Sequence, residues 1–242
     1  MLTSRVNTIM TIDNKFLLIR NHNIFACMTE EDYEEINIIH NFIEAAKGEY
    51  IYFDSHFHSK LYFVKGGSIK IGYYDNEGKE VVKEIIRQGE TFGQITLERN
   101  NMDGEFAMAY KGDVSLCAFN IQDFEKLLRN KPDVALSFTR QIGHQLRNIE
   151  NRLVNVLNKD VKTRLINFLL YLVKENIAEE TVEGFCIPNH LTHEDIANLI
   201  GSSRQTVTTS LNELASQNLI SFNRQQICFL NVKELKKYLT VG

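Results

Sequence analysis

The chain of 242 residues lacks the features that mark several large classes of protein. No stretch approaches the roughly 20 apolar residues that a bilayer span requires, and no charged segment followed by a long apolar run opens the sequence. The expectation is therefore a soluble, cytoplasmic protein without a membrane partner. The four cysteines, Cys27, Cys117, Cys186 and Cys228, stand far apart with no CxxC or comparable ligand spacing, which argues against a zinc or iron–sulfur site and reads most simply as buried thiols. No Gly-rich phosphate loop precedes a helix, and no nucleophile stands beside a base in a recognisable frame. No HxH pair is joined by a downstream Glu and His at the spacing of a metal-dependent jelly-roll enzyme. An enzyme is not expected, and no catalytic residue, metal or cofactor is assigned.

A surplus of positive charge is also missing. Lys and Arg number 27 against 31 Asp and Glu, for a net charge of −4, and residues 160–242 carry eight basic side chains against nine acidic ones. A non-specific nucleic-acid binder would be basic. Any recognition of DNA must rest on a few well-placed side chains, with poor affinity for random duplex at physiological salt.

What is present is densest between Leu191 and Ile220. Thr192 can accept a backbone N–H, Asp195 stands at capping-box spacing, and Ile196, Ala197, Leu199 and Ile200 give the following helix one apolar face. Gly201 supplies a permissive turn. Ser202 or Ser203 can cap a second helix, in which Val207, Leu211 and Leu214 recur at i, i+4 and i+7. The opposite face is then Arg204, Gln205, Thr208, Thr209 and Asn212. Such side chains suit base edges: Arg bonds bidentately to guanine, Gln to adenine, and Thr touches a thymine methyl or a phosphate. A solvated helix face is the bland alternative, but it would normally use Glu and Lys pairs at i, i+4 rather than β-branched Thr. Two helices meeting at this turn form a helix-turn-helix, and the second reads duplex DNA.

A short apolar hairpin follows, with Ile220, Phe222, Ile227 and Phe229 alternating around the polar tip Asn223-Arg224-Gln225-Gln226. Arg224 and Gln225 could position the protein on phosphates, as could Thr192, Ser203 and Thr206. An ordinary hairpin tip would look the same.

Upstream the periodicity changes twice. EEDYEEINIIHNFIEAA reads as an amphipathic helix on Tyr33, Ile36, Ile39, Phe42 and Ile43. From Glu49, short β-rich runs at 50–53, 61–64, 68–74, 80–86 and 107–119 are punctuated by Gly66-Gly67, Asn76-Glu77-Gly78, Gln88-Gly89 and Lys111-Gly112-Asp113, as in a small antiparallel barrel or jelly roll. Helical spacing returns at 121–128. After Pro132 a long helix extends to about Lys159, with Ile142, Leu146, Ile149, Leu153 and Val156 stepping by four and three. That seam serves either a parallel dimer or a helix lying on its own domain. Lys159-Asp160 makes a break, after which Val161, Leu165, Phe168, Leu169 and Leu172 give a further amphipathic helix.

The block GSSRQTVTTSLNEL with its hairpin resembles the winged helix-turn-helix of the Crp/Fnr transcriptional regulators, and LYFVKGGSIKIGYYDNEGKEVV resembles the central hairpins of that family's cyclic-nucleotide-binding β-roll. The resemblance implies an α+β chain: a β-roll sensor with flanking helices over 1–131, a dimerisation helix over 132–159 and a winged helix-turn-helix domain over 160–242. It further implies a homodimer on a pseudo-palindromic double-stranded DNA operator, with RNA polymerase as a partner and Glu179 to Asn189 as a polymerase-facing loop. Arg204 matches the family's guanine-reading arginine. Gln205 falls where many members carry Glu, and Thr209 where some carry a second Arg, so the favoured half-site should differ.

In the effector region, GETFGQITLERNNMDGEFAMAY, Gln94 replaces the Glu that follows Gly93 in cyclic-nucleotide binders. The position of the phosphate-binding Arg falls at Gly104 or Glu105, leaving only the displaced Arg99. An unpaired buried anion is costly, and a carboxylate would repel it. The expectation is an effector other than cAMP or cGMP bound in the family's usual mode, its identity unknown. His56 and His58, at strand spacing, are either a metal-holding pair or two exposed histidines. His190, His193 and Glu194 could form a metal triad or serve capping and the surface.

Overall fold

The computed structural model describes residues 22–33, 40–53, 59–93, 104–176, 184–189 and 191–239. These divide into two compact units, Met1–His144 and Gln145–Gly242.

In the first unit a 3-10 turn, Asn23–Phe25, precedes the antiparallel strands β1 (His40–Ala45), β2 (Tyr50–Phe53), β3 (Lys60–Gly66), β4 (Ser68–Tyr74), β5 (Glu80–Arg87), β6 (Thr91–Gly93), β7 (Glu105–Ala109) and β8 (Val114–Asn120). Among the described residues they form two four-stranded sheets, ordered β1-β8-β3-β6 and β2-β7-β4-β5. The result is a β-roll. Successive side chains of a strand point to opposite faces, and β3 and β8 bury both. Tyr62, Val64, Leu116 and Ala118 turn to the space between the sheets, where Ile69, Ile86 and Phe92 meet them. Leu61, Phe63, Cys117 and Phe119 turn the other way, onto Phe25, Tyr33 and the helices α1 (Ile121–Asn130) and α2 (Pro132–Asn158) through Phe124 and Phe138. Near-continuous apolar runs such as LYFV are the sequence signature of strands covered on both sides.

One expectation is overturned here. The helical reading of EEDYEEINIIHNFIEAA holds only for residues 30–33, with 34–39 outside the described residues; His40–Ala45 is β1, paired to β8 with Phe42 opposite Cys117. Asn41 and Glu44 are exposed while His40 and Ala45 are buried, the mixed pattern of an edge strand in which Phe42 packs toward the helices and Ile43 and Ala45 pack between the sheets. The apolar spacing of this stretch satisfies a helical template, and pairing with β8 decides against it.

The second unit contains the end of α2, then α3 (Val161–Asn176), β9 (Phe185–Pro188), α4 (His193–Ile200), α5 (Arg204–Ser216), β10 (Ile220–Phe222), β11 (Gln226–Phe229) and α6 (Val232–Lys237). Asp160 caps α3 by accepting from Thr163 N at 3.0 Å and Thr163 Oγ1 at 2.8 Å, and these bonds hold its carboxyl below the usual range. Leu165, Leu169 and Leu172 of α3 are buried, as are Ile196, Ala197 and Ile200 of α4 and Val207, Leu211 and Leu214 of α5.

The strand β9 has no signal of its own in the sequence. It occupies part of the loop expected at Glu179 to Asn189, and it adds a third strand to the wing, in the order β10-β11-β9. Residues 177–183 lie outside the described residues. The register places Cys186 opposite Cys228, and the two are joined as a disulfide. The reading of four buried thiols is therefore corrected: one bond links two of them, Cys27 is exposed, and Cys117 alone is a buried thiol, its ionisation pushed up to about 11 by burial. Forty-two residues separate the bonded pair, so no local spacing announces it.

Candidate nucleic-acid interface

Each turn of the helix-turn-helix is fixed by its own side chains. Thr192 Oγ1 accepts from Asp195 N at 3.1 Å, while Asp195 Oδ2 accepts from Thr192 N at 2.7 Å and from the Thr192 hydroxyl at 2.6 Å, a closed capping box. Thr192→Ala should cost the second unit about 1 kcal/mol, read as a lower urea midpoint; an unchanged midpoint would show that the cap carries no stability. α4 ends at Gly201, whose φ of 65° is left-handed and which donates to Ala197 O and Asn198 O. A second support is not legible in the sequence, where Arg164 counts only as a charge. Its guanidinium donates to Gly201 O at 3.1 Å and Val156 O at 3.4 Å, joining the turn to the end of α2.

Ser203, rather than Ser202, caps α5, accepting from Thr206 N at 3.1 Å and meeting Thr206 Oγ1 at 2.8 Å. With Val207, Leu211 and Leu214 facing inward, Arg204, Gln205, Thr206, Thr209 and Asn212 are exposed and Thr208 is half-buried. No acidic residue lies in the first turn of α5, so the positive end of the helix is not neutralised there and favours a phosphate. Glu213, farther along, pairs with Lys162 at 3.2 Å.

The wing tip is built rather than loose. Asn223 Oδ1 accepts from Gln225 N at 2.7 Å and Gln226 N at 2.9 Å. Asn189, at the end of β9, donates through its backbone to Gln225 O at 2.7 Å and through its amide to Asn223 O at 2.8 Å. Arg224 and Gln225 project as exposed side chains from this support. Asn189 carries no sequence signal for the role, since it acts through a strand that the sequence does not announce.

The seam on α2 divides. Leu146, Ile149 and Leu153 are 56%, 52% and 57% exposed, and Val154 and Leu157 add to the bare apolar surface. The two ends differ. Ile142 packs against the Phe124–Phe138 core, and Val156, though exposed, approaches Gly201.

In the β-roll, Gly93 has φ 93°, and a Cβ there would come within 2.6 Å of Lys60 O and 2.9 Å of the Tyr62 ring, so the close strand pairing requires glycine irrespective of any ligand. Gln94 and Arg99 lie outside the described residues, as do His56, His58 and His190. Glu105 opens β7, only 5% exposed. It accepts from Tyr52 OH at 2.7 Å and pairs with Lys83. Burial first, and then Glu105, raise the Tyr52 phenol well above its usual range, so it remains a donor.

Comparison with known proteins agrees with this architecture. Residues 42–131 match the cyclic nucleotide-binding domain and residues 163–238 the Crp-like helix-turn-helix domain, together well over half of the chain. The global nitrogen regulator of Nostoc sp. is 28% identical over 170 residues, covering 69% of this chain and 75% of that protein. The cAMP-activated global transcriptional regulator CRP of Salmonella typhimurium is 28% identical over 167 residues, covering 69% and 79%. Among solved structures, a CooA mutant from Carboxydothermus hydrogenoformans superposes with a TM-score of 0.74 at 20% identity, covering 92% of this chain and 98% of that one. FixK2 from Bradyrhizobium japonicum gives 0.68 at 20% identity, covering 82% and 96%. Among the described residues no helix is long and apolar enough to cross a membrane. With a β-roll, a long helix and a winged helix-turn-helix in this order, the chain belongs to the Crp/Fnr family of transcriptional regulators and carries that family's DNA-binding domain.

Proposed function

We propose that the chain is a cytoplasmic, homodimeric, sequence-specific regulator that sets two copies of α5 into successive major grooves of a pseudo-palindromic operator. The observation that carries this reading is the outward polar face of α5 on a helix anchored by three buried apolar residues. Arg204, Gln205, Thr208 and Thr209 would meet base edges, while Thr192, Ser203, Thr206, Arg224 and Gln225 would meet the backbone. The bare stripe Leu146-Ile149-Leu153 favours a parallel partner helix, with Ile142 and Val156 closing its ends, because such a surface in water needs cover. The division of labour is a sensor over 1–131, a dimer helix over 132–159 and a DNA-binding domain over 160–242, with RNA polymerase as the downstream partner. An effector biases the dimer helices and so the spacing of the recognition helices. A mobility-shift assay on the promoter of the chain's own operon tests the reading: a saturable complex of two chains per duplex is expected, and no complex at low salt would contradict it.

The effector is not cAMP held in the family's usual way. The position expected to hold a cation for the cyclic phosphate falls at Gly104 or Glu105, and Glu105 is a buried carboxylate already satisfied by Tyr52 and Lys83. A second anion brought beside that carboxylate would be repelled and costly to bury. Isothermal titration with cAMP and cGMP is expected to give no binding heat up to millimolar nucleotide; micromolar binding would overturn the expectation.

A further inference from the structure

Thr208 stands among the base-contacting residues, where either its hydroxyl or its methyl could serve. Its surroundings separate the two. Thr208 Oγ1 lies 2.9 Å from Arg204 O, and a carbonyl only accepts, so the single hydroxyl hydrogen is committed to the helix backbone. The same oxygen lies 2.8 Å from His193 Nδ1. With its hydrogen spent, the hydroxyl can meet that nitrogen only as acceptor, so Nδ1 carries the proton. The imidazole packs edge-on to Phe222, with ring centroids 5.7 Å apart. Burial, and then the neighbouring Arg204, hold its pKa below the ordinary value, which leaves the ring neutral with Nε2 bare.

The geometry points to His193 as a positioning residue that turns the Thr208 hydroxyl inward and leaves its methyl as the reading group, specific for the C5-methyl of a thymine in each half-site. The oxygen is drawn toward the Arg204 carbonyl and the α4 imidazole, and the tetrahedral Cβ sets the methyl at an angle to both. The inference rests on α5 being the DNA-reading helix. It adds that this position discriminates by apolar contact with a methyl, which in B-DNA only thymine displays in the major groove.

The test uses the full-length chain and a duplex recovered by selection, in which each thymine is replaced in turn by deoxyuracil. Removing one buried methyl is worth about fourfold in affinity per half-site and about fifteenfold when both half-sites are changed. The wild type should show that loss at one symmetric pair of thymines. Thr208→Val, which keeps a methyl, should retain the sensitivity, and Thr208→Ser should lose it while binding both duplexes alike. His193→Ala should lose the sensitivity, and His193→Asn, whose amide nitrogen replaces the Nδ1 donor, should restore it. Nitrogen-15 spectra of the DNA-free protein should show His193 as the Nδ1–H tautomer. A Nε2–H tautomer, or uniform tolerance of deoxyuracil by a wild type that binds its operator specifically, would overturn the inference while leaving α5 as the reading helix. Absence of any sequence-preferring binding would overturn both.

Discussion

Arg204→Ala is expected to weaken operator binding at least thirtyfold. One bidentate arginine–guanine pair discriminates by about 1–3 kcal/mol, and a twofold complex contains two, so the loss per dimer is about 2–6 kcal/mol. The variant should keep its fold, because Arg204 is exposed and its departure leaves the Ser203 cap and the Val207-Leu211-Leu214 anchor intact. It should also become indifferent to one base pair in each half-site. Arg224→Ala differs in kind. In the role proposed for it at the wing tip it would meet phosphate, so its removal should weaken all duplexes alike and lower the slope of log affinity against log salt by about 1 for each phosphate that it ceases to neutralise. Fluorescence anisotropy on operator and mutated operators at several salt concentrations separates the two. Equal and sequence-independent losses from both variants would contradict the roles assigned.

Breaking the Cys186–Cys228 bond is expected to destabilise the DNA-binding unit by about 4 kcal/mol, taking the chain-entropy cost of a loop closed over 42 residues. For a unit of this size that corresponds to a melting temperature lower by about 15 °C or more. The bond ties β9 to β11, and β9 delivers Asn189 to the wing tip, so the Cys186→Ser, Cys228→Ser double variant should also loosen Arg224. Thermal unfolding with and without dithiothreitol reads the first effect, and thiol titration reads the bond itself. Denatured protein without reductant should show two thiols, Cys27 and Cys117, whereas four would mean that the pair is open. An identical melting curve in both conditions would contradict the stabilisation.

The helix-turn-helix is legible in the sequence because its determinants are local. A capping box within four residues, a glycine at the turn and apolar residues at helical spacing act through neighbours in the chain, and the structure retains each of them. The β-roll is legible at its punctuated hairpins but not at its edges. β1 passes for helix because isoleucines, one tyrosine and one phenylalanine among acidic residues satisfy more than one period, and only its pairing with β8 selects the strand. β9 is four residues long and lacks a β-rich run of its own; β11 completes it. The disulfide, the Arg164 strut and the His193–Thr208 bond join residues 42, 37 and 15 apart. Pairings of this kind follow from how elements pack and have no spacing rule a sequence could display. The seam on α2 presents the converse difficulty, since its period is plain but its partner is not. Leu146, Ile149 and Leu153 are exposed, which leaves room for the parallel partner helix proposed above.

The central claim is that the outward side chains of α5, presented twice by a symmetric pair, recognise a base sequence. Repeated selection of random duplexes by the full-length chain at physiological salt tests it most directly. Enrichment of an inverted repeat with half-site centres about one helical turn apart, about 10 base pairs, and erased at one position per half-site by Arg204→Ala, is the predicted result. Recovery of unenriched DNA, or of a motif that Arg204→Ala leaves unchanged, would contradict it.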